Sequence, residues 1–171
     1  MTKRLKPFIL SLAIVLADQI SKALIVRFIP ENGVGCELLG GFLRIVHVRN
    51  DAVAFSLGAS FETPVKIVLF IVLPVLLVSF IAYLIVSEKQ SRKFSSLELF
   101  CLAGIVAGGA GNLIDRIFRS LRVVDWISVR MYGLFGLEWF PTWNIADASV
   151  VVSVLLLAVA MIFNDGKGKS R

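Results

Sequence analysis

GGAGNLIDRIF (108–118), RVVDWI (122–127) and FPTWNIADASV (140–150) are the runs on which the reading of this chain turns. The first and third are apolar enough to enter a bilayer, yet they carry Asn112, Asp115, Arg116, Asn144 and Asp147, and the segment between them adds Asp125. An ionised side chain at the bilayer centre costs about 3 kcal/mol even on a lenient insertion scale, so polar residues kept in such segments mark a functional site. Asn112 and Asp115 are spaced i, i+3, Asn112 and Arg116 i, i+4, and Asn144 and Asp147 i, i+3, so each set projects from one side of its helix. Those sides should face protein, not lipid.

Composition points the same way. Of the 171 residues, 57% are hydrophobic, against roughly 45–50% in a soluble domain, and the mean hydropathy is +0.85. This is the composition of a polytopic membrane protein. The net charge of +6 resides in short basic segments beside apolar runs, with no basic stripe interleaved with aromatics, which argues against nucleic acid as a partner. Cys36 and Cys101 are too few for a disulfide framework and read as free thiols.

Four spans are expected, at about 8–28, 65–86, 97–118 and 143–163, in a single integral-membrane domain covering 1–171. The charged start and apolar core of the first span also fit a signal peptide, with Val15 to Ala17 as a cleavage site, but apolar character resumes after Lys22 and favours a span. Asp18 and Lys22, spaced i, i+4, share a face and can neutralise each other as a structural ion pair. Residues 29–64 are rich in Gly and Pro, and the β-branched and aromatic run 42–48, continued by RNDAVAFS (49–56), predicts a small antiparallel sheet or hairpin lying on the membrane surface. His47, the sole histidine, reads as a strand residue, since it lacks partners for a metal site. Pro74 is expected to kink the second span, and Gly104, Gly108 and Gly111 give the third a stripe suited to close helix packing. Residues 119–142 are expected to form an exposed connection. Nine Lys and Arg residues fall on one side of this four-span arrangement and five on the other, which places both termini in the cytoplasm.

With that topology the third span leaves the membrane just before Asp125 and the fourth re-enters just before Asp147. Two carboxyls meeting in a partly dry site cannot both ionise easily; they share a proton, one acting as base on a water while the other polarises a carbonyl. This is aspartic-protease chemistry, which needs no metal and no cofactor. HExxH, GxSxG, GxGD and a P-loop are all missing from the sequence. Blander roles exist for each acid: Asp125 as a loop carboxylate, Asp115 as the ion-pair partner of Arg116, and Asp147 as a first-turn acid favoured by the helix dipole. An ion path through Asp18, Lys22, Asp115, Arg116 and Asp147 is the competing class, although the internal repeats usual in transporters are not visible.

DQISK (18–22), RNDAVAFS (49–56), GGAGNLIDR (108–116), VVDWI (123–127) and FPTWNIAD (140–147) resemble, in order, the signature blocks of the lipoprotein signal peptidase (signal peptidase II) family. The resemblance implies an aspartic endopeptidase of the bacterial inner membrane. Such an enzyme removes signal peptides from prolipoproteins, cutting before a cysteine that already carries diacylglycerol, with membrane lipid and globomycin-type inhibitors as further partners. Carried over by position, the family's catalytic aspartates fall on Asp125 and Asp147, its substrate-lining residues on Asn50, Asn112, Arg116 and Asn144, and its supporting residues on Asp18, Lys22 and Asp115. Departures from the family's usual residues are Trp126 and Trp143 in place of Phe, which keep a large apolar wall, and Ala52 in place of Gly, where a left-handed turn would resist a Cβ.

Overall fold

The computed structural model describes residues 5–51, 61–91 and 93–168. Among them four helices are long and apolar enough to cross a membrane: α1 (Pro7–Phe28), α2 (Thr63–Val86), α3 (Ser96–Phe118) and α4, which runs Ile145–Gly168. The polarity of α1 is inverted relative to a helix of a soluble bundle. In α1 the buried residues are Pro7, Ser11, Asp18, Lys22 and Ile25, all on one face, while Ile9, Leu12, Leu16, Ile20 and Leu24 are exposed. Lipid solvates the apolar side, so the polar side turns inward, where it finds partners.

α3 is the central helix and packs against the other three. It starts from a reciprocal cap in which Ser95 Oγ accepts from the Glu98 amide and Glu98 Oε2 accepts from the Ser95 amide. Gly108 shows why small residues stripe this helix: a Cβ there would lie 2.3 Å from the Ala146 carbonyl oxygen of α4. A second cluster, Ile81, Ile85, Leu102, Ala103 and Val106, joins α2 to α3. Pro74 acts on α2 by opening a wide π-type turn at Val68–Val72 just ahead of it.

Three antiparallel strands, β1 (Val34–Leu38), β2 (Leu43–Asn50) and β3 (Val123–Val129), form one sheet in the order β1-β2-β3. Two strands come from the segment where a sheet was expected, and His47 lies in β2. The third differs from expectation: it arises from 119–142, the stretch read as an exposed connection. Its Val, Ile and Trp content suits a strand, and β2 has an open edge to receive it; Val48 pairs with Asp125 and Asn50 with Val123. Trp143 also belongs to the sheet side. Its amide donates to Ile127 O and its carbonyl accepts from the Ile127 amide, so α4 begins at Ile145, two residues later than expected. The end of the RNDAVAFS run and Ala52 lie outside the described residues.

Candidate active site

Asp125 is carried by β3 at its pairing with Val48, and it is 2% exposed. Its two carboxylate oxygens are held by different amides: Oδ2 accepts from Asn50 Nδ2 at 3.0 Å, and Oδ1 from Asn144 Nδ2 at 2.7 Å. Burial is the main force on this group and pushes its pKa up to about 7, helped by the Asp147 charge and opposed by the two amide bonds and by Lys22.

Asp147 stands in the first turn of α4, partly exposed. Asn144 precedes the helix and forms a reciprocal cap with it: Asn144 Oδ1 accepts from the Asp147 amide at 2.9 Å, and Asp147 Oδ2 accepts from the Asn144 amide at 3.3 Å. Asp147 Oδ1 accepts from Asn112 Nδ2 at 2.7 Å. Asn144 therefore holds both carboxyls, Asp125 through its Nδ2 and Asp147 through its backbone amide, while its Oδ1 accepts from the Asp147 amide. The two acids belong to one hydrogen-bonded unit, drawn from β3 and the start of α4.

Behind this unit lies a denser cluster of charge. Lys22 Nζ is 2.8 Å from Asp18, 3.0 Å from Asp115 and 2.9 Å from Asn112 Oδ1, and both ion pairs have zero side-chain exposure. Asp18 Oδ1 accepts from the Ala146 amide at the start of α4, and Asp115 Oδ2 accepts from the Val124 amide, one residue before Asp125. Four elements are thus joined at one buried ammonium. Asp115 is paired with Lys22 and Arg119, a correction to its expected pairing with Arg116. Residues adjacent on a helix point about 100° apart, whereas Asp115 and Arg119, four apart, share a face. Arg116 instead lies over the Phe70 ring, 4.6 Å from its centroid, with Asp125 and Asp147 the leading charges that act on it. Mutual satisfaction with no exposure is the arrangement of a structural pin, not of an ion path.

The nine polar residues singled out in the sequence gather into this one region, Asn50 from β2, Asp18 and Lys22 from α1, and the others from α3, β3 and the start of α4. Three participants were not singled out. Gln19 Nε2 donates to Asp18, to Asp115 and to Gly111 O; Arg119 pairs with Asp115; Phe70 underlies Arg116. Arg119 could have been found from its i, i+4 spacing to Asp115, whereas Phe70 carries no signal in a run of apolar residues. At the edge of the site Lys66 pairs with Asp51 at 2.8 Å and its hydrogen bond holds that carboxyl below the usual range. Trp126 adds apolar wall at a cost, since its buried indole nitrogen has no partner among the described residues. Among the described residues no group of three or more His, Cys, Asp or Glu could hold a metal ion.

Comparison with known proteins places the chain in a family and a fold. A family model described as signal peptidase (SPase) II matches residues 10–163. The chain is 38% identical to a lipoprotein signal peptidase of Borrelia hermsii, over 90% of this chain and 88% of the relative. It is 35% identical to that of Borreliella burgdorferi, over 91% and 89%. Among solved structures, a bacterial membrane enzyme superposes with a TM-score of 0.79 at 24% identity, covering 97% of this chain and 93% of the other. A second superposes at 0.73 and 25% identity, covering 91% and 92%.

Proposed function

The chain belongs to the signal peptidase II family of membrane aspartic peptidases, the lipoprotein signal peptidases, and from that premise we propose that Asp125 and Asp147 are the catalytic pair that cleaves diacylglyceryl-modified prolipoproteins. The observation that carries the assignment is Asn144, which holds both carboxyls at once. With a value of about 7, Asp125 is the natural holder of the shared proton, and the partly exposed Asp147 is the base that meets water.

In this reading Asp147 removes a proton from a water, whose oxygen adds to the scissile carbonyl carbon while Asp125 gives its proton to the carbonyl oxygen. Collapse of the tetrahedral diol returns that proton to Asp125, Asp147 protonates the leaving nitrogen, and the C–N bond breaks. The products are a signal-peptide carboxylate and a new amino terminus on the lipidated cysteine. Asn50, Asn112, Asn144 and Arg116 line the substrate, with Arg116 offering donors to its carbonyls. Asp18, Lys22 and Asp115 support them by tying α4 and β3 to α1. The distribution of Lys and Arg supports an orientation with both termini in the cytoplasm and the pair near the outer face of the bacterial inner membrane, where the lipid of the substrate would also lie. Globomycin-type cyclic peptides would occupy the same cleft.

The test is cleavage by purified protein of a diacylglyceryl-modified prolipoprotein, wild type beside Asp125→Asn, with an unlipidated precursor as control. Cleavage of the lipidated form alone, and by wild type alone, is expected. Equal cleavage of the unlipidated precursor would remove the lipid from the specificity, and turnover by Asp125→Asn would remove Asp125 from the pair.

A further inference from the structure

Between Thr63 and Phe80, Phe70 is the single buried side chain among the described residues. The reason is local. In a regular helix the amide at position 74 would bond the Phe70 carbonyl, but Pro74 has no such proton and its ring crowds that oxygen, so the turn opens at Val68–Val72. Within the opened turn Phe70 is turned inward while Val68 and Val72 stay exposed to lipid. The ring meets the Arg116 guanidinium at 4.6 Å, the sole cation over an aromatic face within the helices among the described residues.

Asp125, Asp147, Asp115 and Asp51 are the charges that act on that guanidinium, and its Nη1 donates to Leu121 O at 3.4 Å. The plane of a guanidinium decides which of its donors reach a given oxygen. An aromatic face selects among the orientations of that plane, because the ring quadrupole attracts the cation along the ring normal. We infer that Phe70 is a positioning residue for the reaction: its ring fixes the plane of the Arg116 guanidinium beside the two carboxyls, and so ties α2 to the catalytic site. The inference rests on the reading of Asp125 and Asp147 as the catalytic pair.

The experiment measures kcat and KM of the full chain on a diacylglyceryl-modified precursor for wild type and for Phe70→Tyr, Phe70→Leu and Phe70→Met, below the measured melting temperature of each. Phe70→Tyr keeps the ring and is expected to retain activity, whereas the aliphatic variants lose about threefold to thirtyfold in kcat/KM, the range a partly desolvated cation–aromatic contact supports. A double-mutant cycle with Arg116→Lys separates positioning from packing: the Phe70→Leu loss should shrink when the guanidinium is gone. Wild-type turnover by Phe70→Met, a Phe70→Tyr loss as deep as that of Phe70→Leu, or additive losses in the cycle would each overturn it. Asp125→Asn runs in the same assay. Activity there breaks the catalytic reading, while an inactive Asp125→Asn beside a fully active Phe70→Leu breaks this inference alone.

Discussion

Four aspartates share the polar centre of this bundle, and two of them are held in a different way from the other two. Asp18 and Asp115 are given cations: Lys22 bridges both, and Arg119 adds a second positive charge to Asp115. Asp125 and Asp147 are given amides, from Asn50, Asn112 and Asn144. A cation beside a carboxylate balances its charge and pins the geometry. A neutral amide fixes direction and offsets the charge only in part, so burial prevails at Asp125 and brings it to about 7. In the proposed mechanism one pair stays as it is and the other exchanges a proton.

The strongest way to break that contrast is to remove a carboxyl from the amide-held pair. Asp125→Asn and Asp147→Asn keep shape and hydrogen-bonding capacity, so membrane insertion and melting temperature should hold while kcat falls by about 10²–10⁴-fold, the usual worth of a general acid or base. Near-normal turnover in either would dissolve the distinction between the two pairs. In the cation-held pair the expected damage is to folding. Lys22→Met leaves Asp18 and Asp115 without their shared ammonium, and truncating one side of a buried charge network costs about 3–5 kcal/mol. Thermal unfolding in detergent or bilayer should show this as a large loss of stability. An Lys22→Met protein as stable as wild type would show that the cluster is not a pin.

A finer probe is the pH dependence. In the proposed mechanism the active form carries one shared proton, so kcat/KM should fall as pH rises through about 7, where Asp125 loses it. The groups that face Asp125 are Asn50 from β2, Asn144 and Asp147 from the start of α4, and Lys22 from α1, with Arg116 from α3 close by. Asn50 donates to the carboxylate and so favours ionisation. Removing that donor in Asn50→Ala should therefore move the alkaline limb to higher pH, by up to about one unit for a hydrogen bond worth ~1 kcal/mol. The same raised value opposes folding: the proton is held more tightly in the native state, so this cost is absent below about pH 4 and grows as pH rises toward 7. A limb that stays in place, or moves down, would mean that another group sets it.

The pairs differ also in how far they could be read from the sequence. Asp18 and Lys22 announce their contact by spacing alone, because both sit on one helix face. The four spans are legible for the same reason that the interior is polar: lipid imposes a simple demand on every outward residue. What pairs with what across elements is not legible in this way. Asp115 sits beside Arg116 in sequence and pairs with Lys22, some 90 positions away, because helix geometry turns adjacent residues apart. β3 was hidden inside a loop-like stretch, since a strand from 119–142 has no meaning until the edge of β2 is there to receive it. The family resemblance supplied Asp125 and Asp147 as a pair, but only the fold reveals that Asn144 is their common holder.

The mildest expected effect follows from the fact that the molecule uses the same cap twice. Ser95 with Glu98 starts α3, and Asn144 with Asp147 starts α4, each with side chain and backbone amide exchanged across one turn. The first satisfies amides at the start of α3, 14 residues or more from Asn112 and the other site residues of that helix, so Ser95→Ala should cost about 1 kcal/mol of stability, a few degrees of melting temperature in a chain of this size, and leave kcat and KM unchanged. The second cap has the same local job, yet its acid is one of the proposed catalytic carboxyls and its Asn side chain also reaches Asp125. A cap that orients a reacting group has no slack to give. If Ser95→Ala disturbed turnover as well, capping at either end of the bundle would control the site through α3, and the separation of scaffold from chemistry drawn between the two pairs of aspartates would have to be given up.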